Sequence, residues 1–183
     1  MMKTAGILLA AGLSRRFGPE NKLLAPYHGQ PLVTWAAEAL GQAGCDIVAA
    51  VISSEEVAAR LPVSMQQLHL PPGQPMAESF RAAIAFAQTQ QAGRALICLG
   101  DMPHVTSHLL NSLLARPGST ACISNGVRLP PLLLMADDYE EAARNAEGDR
   151  GARAFIRGLP EETLFRLESQ AGKDVDRPED ISL

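Results

Sequence analysis

The chain has 183 residues, 46% of them hydrophobic and only 4% aromatic, with a formal net charge of −4. That is enough apolar material for one core but cramped for two domains, and it favours helices laid on a sheet over an aromatic-rich β-sandwich. The mildly acidic balance argues against general nucleic-acid binding, which normally needs a basic face, and leaves open a charged small molecule.

The first element in chain order is an apolar run through Ile7, Leu8, Leu9 and Ala10, which reads as a buried strand. It empties into a loop carrying Gly12, Ser14, Arg15, Arg16, Gly18 and Lys22. Glycines let main-chain N–H groups approach a ligand, and the three cations add full charge to those partial ones, so the loop reads as a phosphate cradle. Pro31 then starts a helix with Leu32, Trp35, Ala36, Ala39, Leu40 and Ala43 on one face, stopped by Gly44. Residues 46–52 read as a second strand. Ser53 and Glu56 have capping-box spacing for a short helix to about Leu61, and 64–70 is a weaker third strand. A long helix begins at Pro75, with Phe80, Ala83, Ile84 and Ala87 on its stripe. Residues 94–99 form a clear strand that delivers Gly100-Asp101-Met102-Pro103, and 107–115 is helical. Strands at 120–124 and 132–135 flank a turn at Asn125-Gly126. Helices near 137–144 and within 151–157, a strand near 163–167 and an acidic segment at 174–180 complete the chain.

Strands alternating with helices imply a mostly parallel sheet covered on both faces, a three-layer α/β/α, Rossmann-like fold. Ligands of such sheets bind beyond the carboxyl ends of the strands, so the loop after the first strand and Asp101 should share one edge. Cations for phosphate and a carboxylate for a divalent metal would then face one pocket. A Walker loop is excluded because Gly12 and Gly18 are not followed by Lys-Ser or Lys-Thr, and GxGxxG is absent. Asp101 could instead cap the following helix, Asp149 another, and Asp176 could be a turn residue. His104 and His108 stand four apart but lack the HExxH pattern and a third ligand, which disfavours zinc. Cys45, Cys98 and Cys122 have no metal-finger spacing, and an odd number argues for buried free thiols in a reducing compartment. No stretch approaches the ~20 apolar residues of a membrane span, and arginines follow the N-terminal apolar run where a cleavage site would be needed; the expectation is cytoplasmic.

Taken together, Leu9-Ala10-Ala11-Gly12-Leu13-Ser14-Arg15-Arg16-Phe17-Gly18 with Asn21-Lys22-Leu23-Leu24, Gly100-Asp101-Met102-Pro103, Gly148-Asp149-Arg150-Gly151-Ala152-Arg153 and Asp174-Val175-Asp176-Arg177-Pro178-Glu179-Asp180 resemble the MobA-like nucleotidyltransferases, and within them the molybdenum cofactor cytidylyltransferases. The resemblance runs end to end and implies a single nucleotidyltransferase domain over 1–183. It implies transfer of a nucleoside monophosphate from an NTP to a phosphorylated acceptor, releasing pyrophosphate. Leu9, Ala10 and the main-chain N–H groups of Ala11, Gly12 and Ser14 would bind the triphosphate, with Arg15 or Arg16 on its outer phosphates. Lys22 would lie at the α-phosphate, and Asp101 with Asp176, or Asp174 in its place, would hold Mg²⁺. Gly73 and Ser79 match the family's turn near the base. Ala11 favours CTP, since the guanylyl enzymes usually carry Leu-Ala-Gly-Gly, and the acceptor would be molybdopterin carrying molybdenum. A molybdoenzyme or its chaperone would then receive the product. The family's His-Pro pair after the middle strands is missing from Gly126-Val127-Arg128-Leu129-Pro130-Pro131, where Arg128 is a candidate ligand for the acceptor phosphate. Two other readings remain: an enzyme of the same fold with a guanylyl or different acceptor specificity, and a non-catalytic nucleotide-binding module.

Overall fold

The structure, a computed structural model, describes residues 2–12, 17–18 and 20–182. Its centre is β1 (Thr4–Ala10), buried at every position. Parallel neighbours flank it, β4 (Ile47–Ile52) on one side and β6 (Arg94–Leu99) on the other. The alternation of side chains along these strands sorts them into two cores. Leu8 and Ala10 pack with Val33 and Leu40 of α1 (Leu32–Gly41). Ile7 and Leu9 pack with Phe80 and Ile84 of α3 (Met76–Thr89). A strand covered on both faces has no polar side to show, which is why the first apolar run does not alternate. Side chains as fully buried as Phe80 and Ile7 each contribute about 1.5–3 kcal/mol.

The sheet continues outward in the order β5-β4-β1-β6-β8-β7-β9. Here β5 is Gln66–His69, β7 Thr120–Ser124, β8 Val127–Met135 and β9 Phe165–Arg166. Only β8 runs antiparallel to its neighbours. Helices α1, α2 (Glu55–Ala58) and α4 (Ser107–Leu114) cover one face. The other is covered by α3, α5 (Tyr139–Asn145) and α6 (Arg153–Gly158). This is the expected three-layer α/β/α, Rossmann-like arrangement.

Several local expectations shift. Ser53 does not cap α2; its hydroxyl donates to the Ala11 carbonyl at 3.1 Å, and Ser54 holds the N-cap position without a side-chain bond. Asn125 and Gly126 make the expected turn with φ of 48° and 77°, but β8 starts at Val127 because its first residues pair with β7 and its last with β6. Trp35 is not a member of either large core. It is half-buried beside Tyr27 and Leu32, and its indole N–H donates to the Tyr27 carbonyl. Cys98 and Cys122 are buried free thiols, whereas Cys45 is partly exposed. A two-stranded hairpin of β2 (Pro26–Tyr27) and β3 (Gln30–Pro31), turning on His28 and Gly29, was not foreseen; strands this short carry no periodic signal.

Candidate active site

The register Leu9↔Leu99 and Ala10↔Ile52 aligns the carboxyl ends of β6, β1 and β4. Past those ends the Gly100 N–H donates to the Leu9 carbonyl at 3.0 Å. A Cβ on Gly100 would lie 3.3 Å from Val33 and 3.4 Å from both Leu23 and that same carbonyl, so glycine is what lets the chain turn here. Asp101 follows immediately. It does not cap α4, because Thr106 does, accepting from the Leu109 N–H at 3.2 Å.

Lys22 reaches the same place from the other side. Asn21 caps a single 3₁₀ turn, Lys22–Leu24, by accepting from the Leu23 N–H, and Leu23, 3% exposed, anchors the turn in the core. The Lys22 ammonium then donates to Asp101 Oδ2 at 2.7 Å and to Asp176 Oδ1 at 3.0 Å.

The acidic tail is fastened between them. Its Val175 N–H donates to the Asp101 carbonyl at 2.9 Å, and the Val175 side chain, 3% exposed, plugs into the cluster of Tyr27 and Leu32. Asp180 accepts from the N–H groups of Asp176 and Arg177. With Val175 turned inward, Asp174 and Asp176 on either side of it each offer an oxygen within 4.8 Å of one another and of Asp101. Which of the two joins Asp101 was open from the sequence; the fold brings both.

Among the described residues, three carboxylates stand against one ammonium in this cluster. Asp101 Oδ1 is buried and accepts no hydrogen bond. An orphaned carboxylate oxygen among hard oxygen donors fits a divalent cation such as Mg²⁺. Burial would lower the Lys22 pKa, but the neighbouring Asp101 and Asp176 outweigh it and hold the ammonium above its ordinary value. The Asp174 carboxyl is pushed up by partial dehydration and then by the charges of Asp101 and Asp176. Among the described residues no other group of three His, Cys, Asp or Glu side chains converges in this way, and His104 instead shares a hydrogen bond with the Tyr27 hydroxyl at 3.0 Å.

The remaining candidates fall into three sets. Leu9, Ala10 and Ala11 are buried, so only their main chain could meet a ligand, while Gly12 is exposed with open space around an added Cβ. Gly18 takes a positive φ of 108°, and Gly12 does not. Ser14, Arg15 and Arg16 lie outside the described residues. Gly73 is an exposed turn residue with φ 85°, but Ser79 is 3% exposed on α3, so the two do not present a common surface.

Beside the acidic cluster, and meeting it at Asp174, a cleft of about 810 Å³ opens between α3, α6 and the β7–β8 hairpin. Its apolar lining includes Leu9, Met76, Phe80 and Met102, and its cationic lining includes Arg150, Arg153, Arg157 and Lys173. These cations were not assigned roles from the sequence, although Gly148–Arg153 stood out as a motif. Arg128 also borders the cleft, but its Nη1 donates to the carbonyls of Ile156, Arg157 and Leu159. Its position suggested a phosphate ligand; the structure makes it the clasp on the C-terminal end of α6. Asp149 likewise borders the cleft and caps no helix, α6 having Ala152 at its N-cap.

A mostly parallel α/β sheet with a cation and clustered carboxylates at its carboxyl edge is the arrangement of a nucleotidyltransferase, a class of enzyme. More narrowly, the chain belongs to the MobA-like NTP transferase family, whose domain model matches residues 6–165. It is 30% identical to the nicotine blue oxidoreductase of Paenarthrobacter nicotinovorans, over 96% of this chain and 93% of that protein. It is 28% identical to the molybdenum cofactor guanylyltransferase of Cereibacter sphaeroides, over 98% and 97%. Among solved structures, a nucleotidyl transferase from Methanothermobacter thermautotroptrophicus shares the fold with a TM-score of 0.80 at 20% identity, covering 97% of this chain and 94% of that one. Among the described residues, no helix is long and apolar enough to cross a membrane.

Proposed function

We propose that the enzyme transfers CMP from CTP to the phosphate of a molybdopterin-type acceptor and releases pyrophosphate. The observation that carries this reading is the Lys22 ammonium held between Asp101 and Asp176. The N–H groups past β1, with Ser14, Arg15 and Arg16 of the same loop, bind the triphosphate, and the arginines neutralise the leaving pyrophosphate. Lys22 moves from the carboxylates to the α-phosphate, where charge changes during in-line attack. Asp101, Asp174 and Asp176 supply the oxygens for Mg²⁺. Bound there, the ion would draw charge from the phosphate oxygens as the bond to the leaving group breaks. The acceptor phosphate is already an anion at neutral pH, so the site needs no general base. The cleft that meets Asp174 suits an acceptor with an apolar ring body and a phosphate at one end.

For the base, Ala11 supports CTP by resemblance alone, since the guanylyl enzymes of the family usually carry Leu-Ala-Gly-Gly where this chain has Leu9-Ala10-Ala11-Gly12. The guanylyltransferase relative supports the purine alternative. Incubation with molybdopterin, Mg²⁺ and each of four NTPs, reading pyrophosphate, decides between them. A CTP preference supports the reading, a GTP preference replaces it with guanylyl transfer, and no turnover with any nucleotide favours the non-catalytic binding module. The finished cofactor would pass to a molybdoenzyme or its chaperone.

A further inference from the structure

Gly148–Arg153 is a sequence motif that the reaction above leaves unused. Locally it is built for position. Gly148 and Gly151 have φ of 48° and 50°, in the left-handed region that favours glycine. A Cβ on Gly151 would come within 2.7 Å of Met76 Cγ, so the loop lies directly on the first turn of α3. From the other side Arg81 of α3 holds the Ala143 and Ala146 carbonyls at the end of α5, which fixes the chain entering the loop. The result is that Arg150 and Arg153 border the cleft, joined one turn along α6 by Arg157.

The charge there is out of proportion to the reaction. Arg128, Arg150, Arg153, Arg157 and Lys173 line the cleft against only Asp149 and Asp174, in a chain whose net charge is −4. Among the described residues the guanidinium groups of Arg150, Arg153 and Arg157 have no hydrogen-bond or ion-pair partner. Asp174 stands with the metal cluster. Unpaired arginines along an apolar-floored cleft offer bidentate donor forks to an anion. The attacking phosphate belongs at the other end, beside Lys22 and the carboxylates.

We propose that Arg150, Arg153 and Arg157 hold a second anionic group of the acceptor, separate from the phosphate that is nucleotidylated, so that the enzyme selects acceptors that are anionic at both ends. This rests on reading the cleft as the acceptor site. It makes Arg153 and Arg157 specificity-determining residues.

The test is equilibrium binding, without nucleotide, of two probes: molybdopterin, whose dithiolate adds negative charge to its phosphate, and a pterin monophosphate without the dithiolate. The variants are Arg153→Gln and Arg157→Gln, both exposed in the fold, with unchanged melting temperature as the folding check. Each variant is expected to weaken molybdopterin about tenfold, the effect of one lost charge-assisted hydrogen bond, while leaving the monophosphate and CTP affinities unaltered. Equal weakening of both probes would mean that the arginines hold the reacting phosphate, and no weakening of either would mean that they hold nothing; both overturn the proposal. Failure of the parent reading looks different: the native chain would release no pyrophosphate from any NTP, whatever the two probes do.

Discussion

Lys22 and Asp101 are 79 residues apart in sequence and 2.7 Å apart in space, and Asp176, a further 75 residues along, closes on the same ammonium. Among the described residues, the Lys22 ammonium is the cation that meets both carboxylates. On the proposed reading it would leave those carboxylates for the α-phosphate.

Replacing Lys22 with Met should therefore do two separable things. Pyrophosphate release should fall by about 10²–10³-fold, the usual effect of losing one donor at a reacting oxyanion. Without metal the melting temperature should fall too, because Asp101 and Asp176 lose the Lys22 ammonium, and Mg²⁺ should restore it. Full activity in this variant would contradict the assignment of Lys22.

The raised Asp174 pKa gives a sign to the acid response. Its carboxyl titrates at 3.8 unfolded and higher when folded. Between those values the folded chain binds more protons, so this contribution to stability is complete below 3.8 and is lost as pH rises through the folded value. Metal-free Asp174→Asn should lose less stability across that window. Mg²⁺ affinity of the native chain should weaken as pH falls through it, since proton and metal compete for the same oxygens. Thermal melts against pH, with and without Mg²⁺, read both. The Lys22 ion pairs have the opposite place on the scale: raised above 10.5, that group loses its contribution only as pH climbs through its folded value.

Val175 has no polar atom in its side chain, yet it should control the metal site. Truncation to Ala empties part of the Tyr27 and Leu32 cluster and should remove about 2 kcal/mol of stability. Because the same residue fastens Asp174 and Asp176, the Mg²⁺ concentration for half-maximal activity should rise, with the maximum recoverable at high metal. A denaturant titration and a metal titration separate the two effects.

Gly151→Ala should cost about 1–3 kcal/mol, from the positive φ and from the collision with Met76. Adding Met76→Ala relieves the collision but not the backbone strain, so the double variant should recover only part of the loss. Complete additivity in a double-mutant cycle would show that the two residues do not touch.

What could be read in advance was local. The unbroken apolar run of β1, the stripe of Phe80, Ala83, Ile84 and Ala87, and the Gly100-Asp101 step each depend on a few neighbouring residues, and period and turn chemistry are properties of neighbours. The β-α-β alternation then put the loop of Lys22 and the Asp101 step on one edge, because parallel strands all end on the same side. The pairing of side chains was another matter. Ser53 had the spacing of a cap and instead crosses to the Ala11 carbonyl; Arg128 had the position of a phosphate ligand and instead closes α6; Ser79 is buried where a base contact was expected. Nor could spacing choose between Asp174 and Asp176, since the answer lies in Val175 inserting into a hairpin some 150 residues earlier. Propensity is written along the chain, whereas the partner of a side chain depends on strand order and on which helix covers which face, and those emerge only when the whole core has closed.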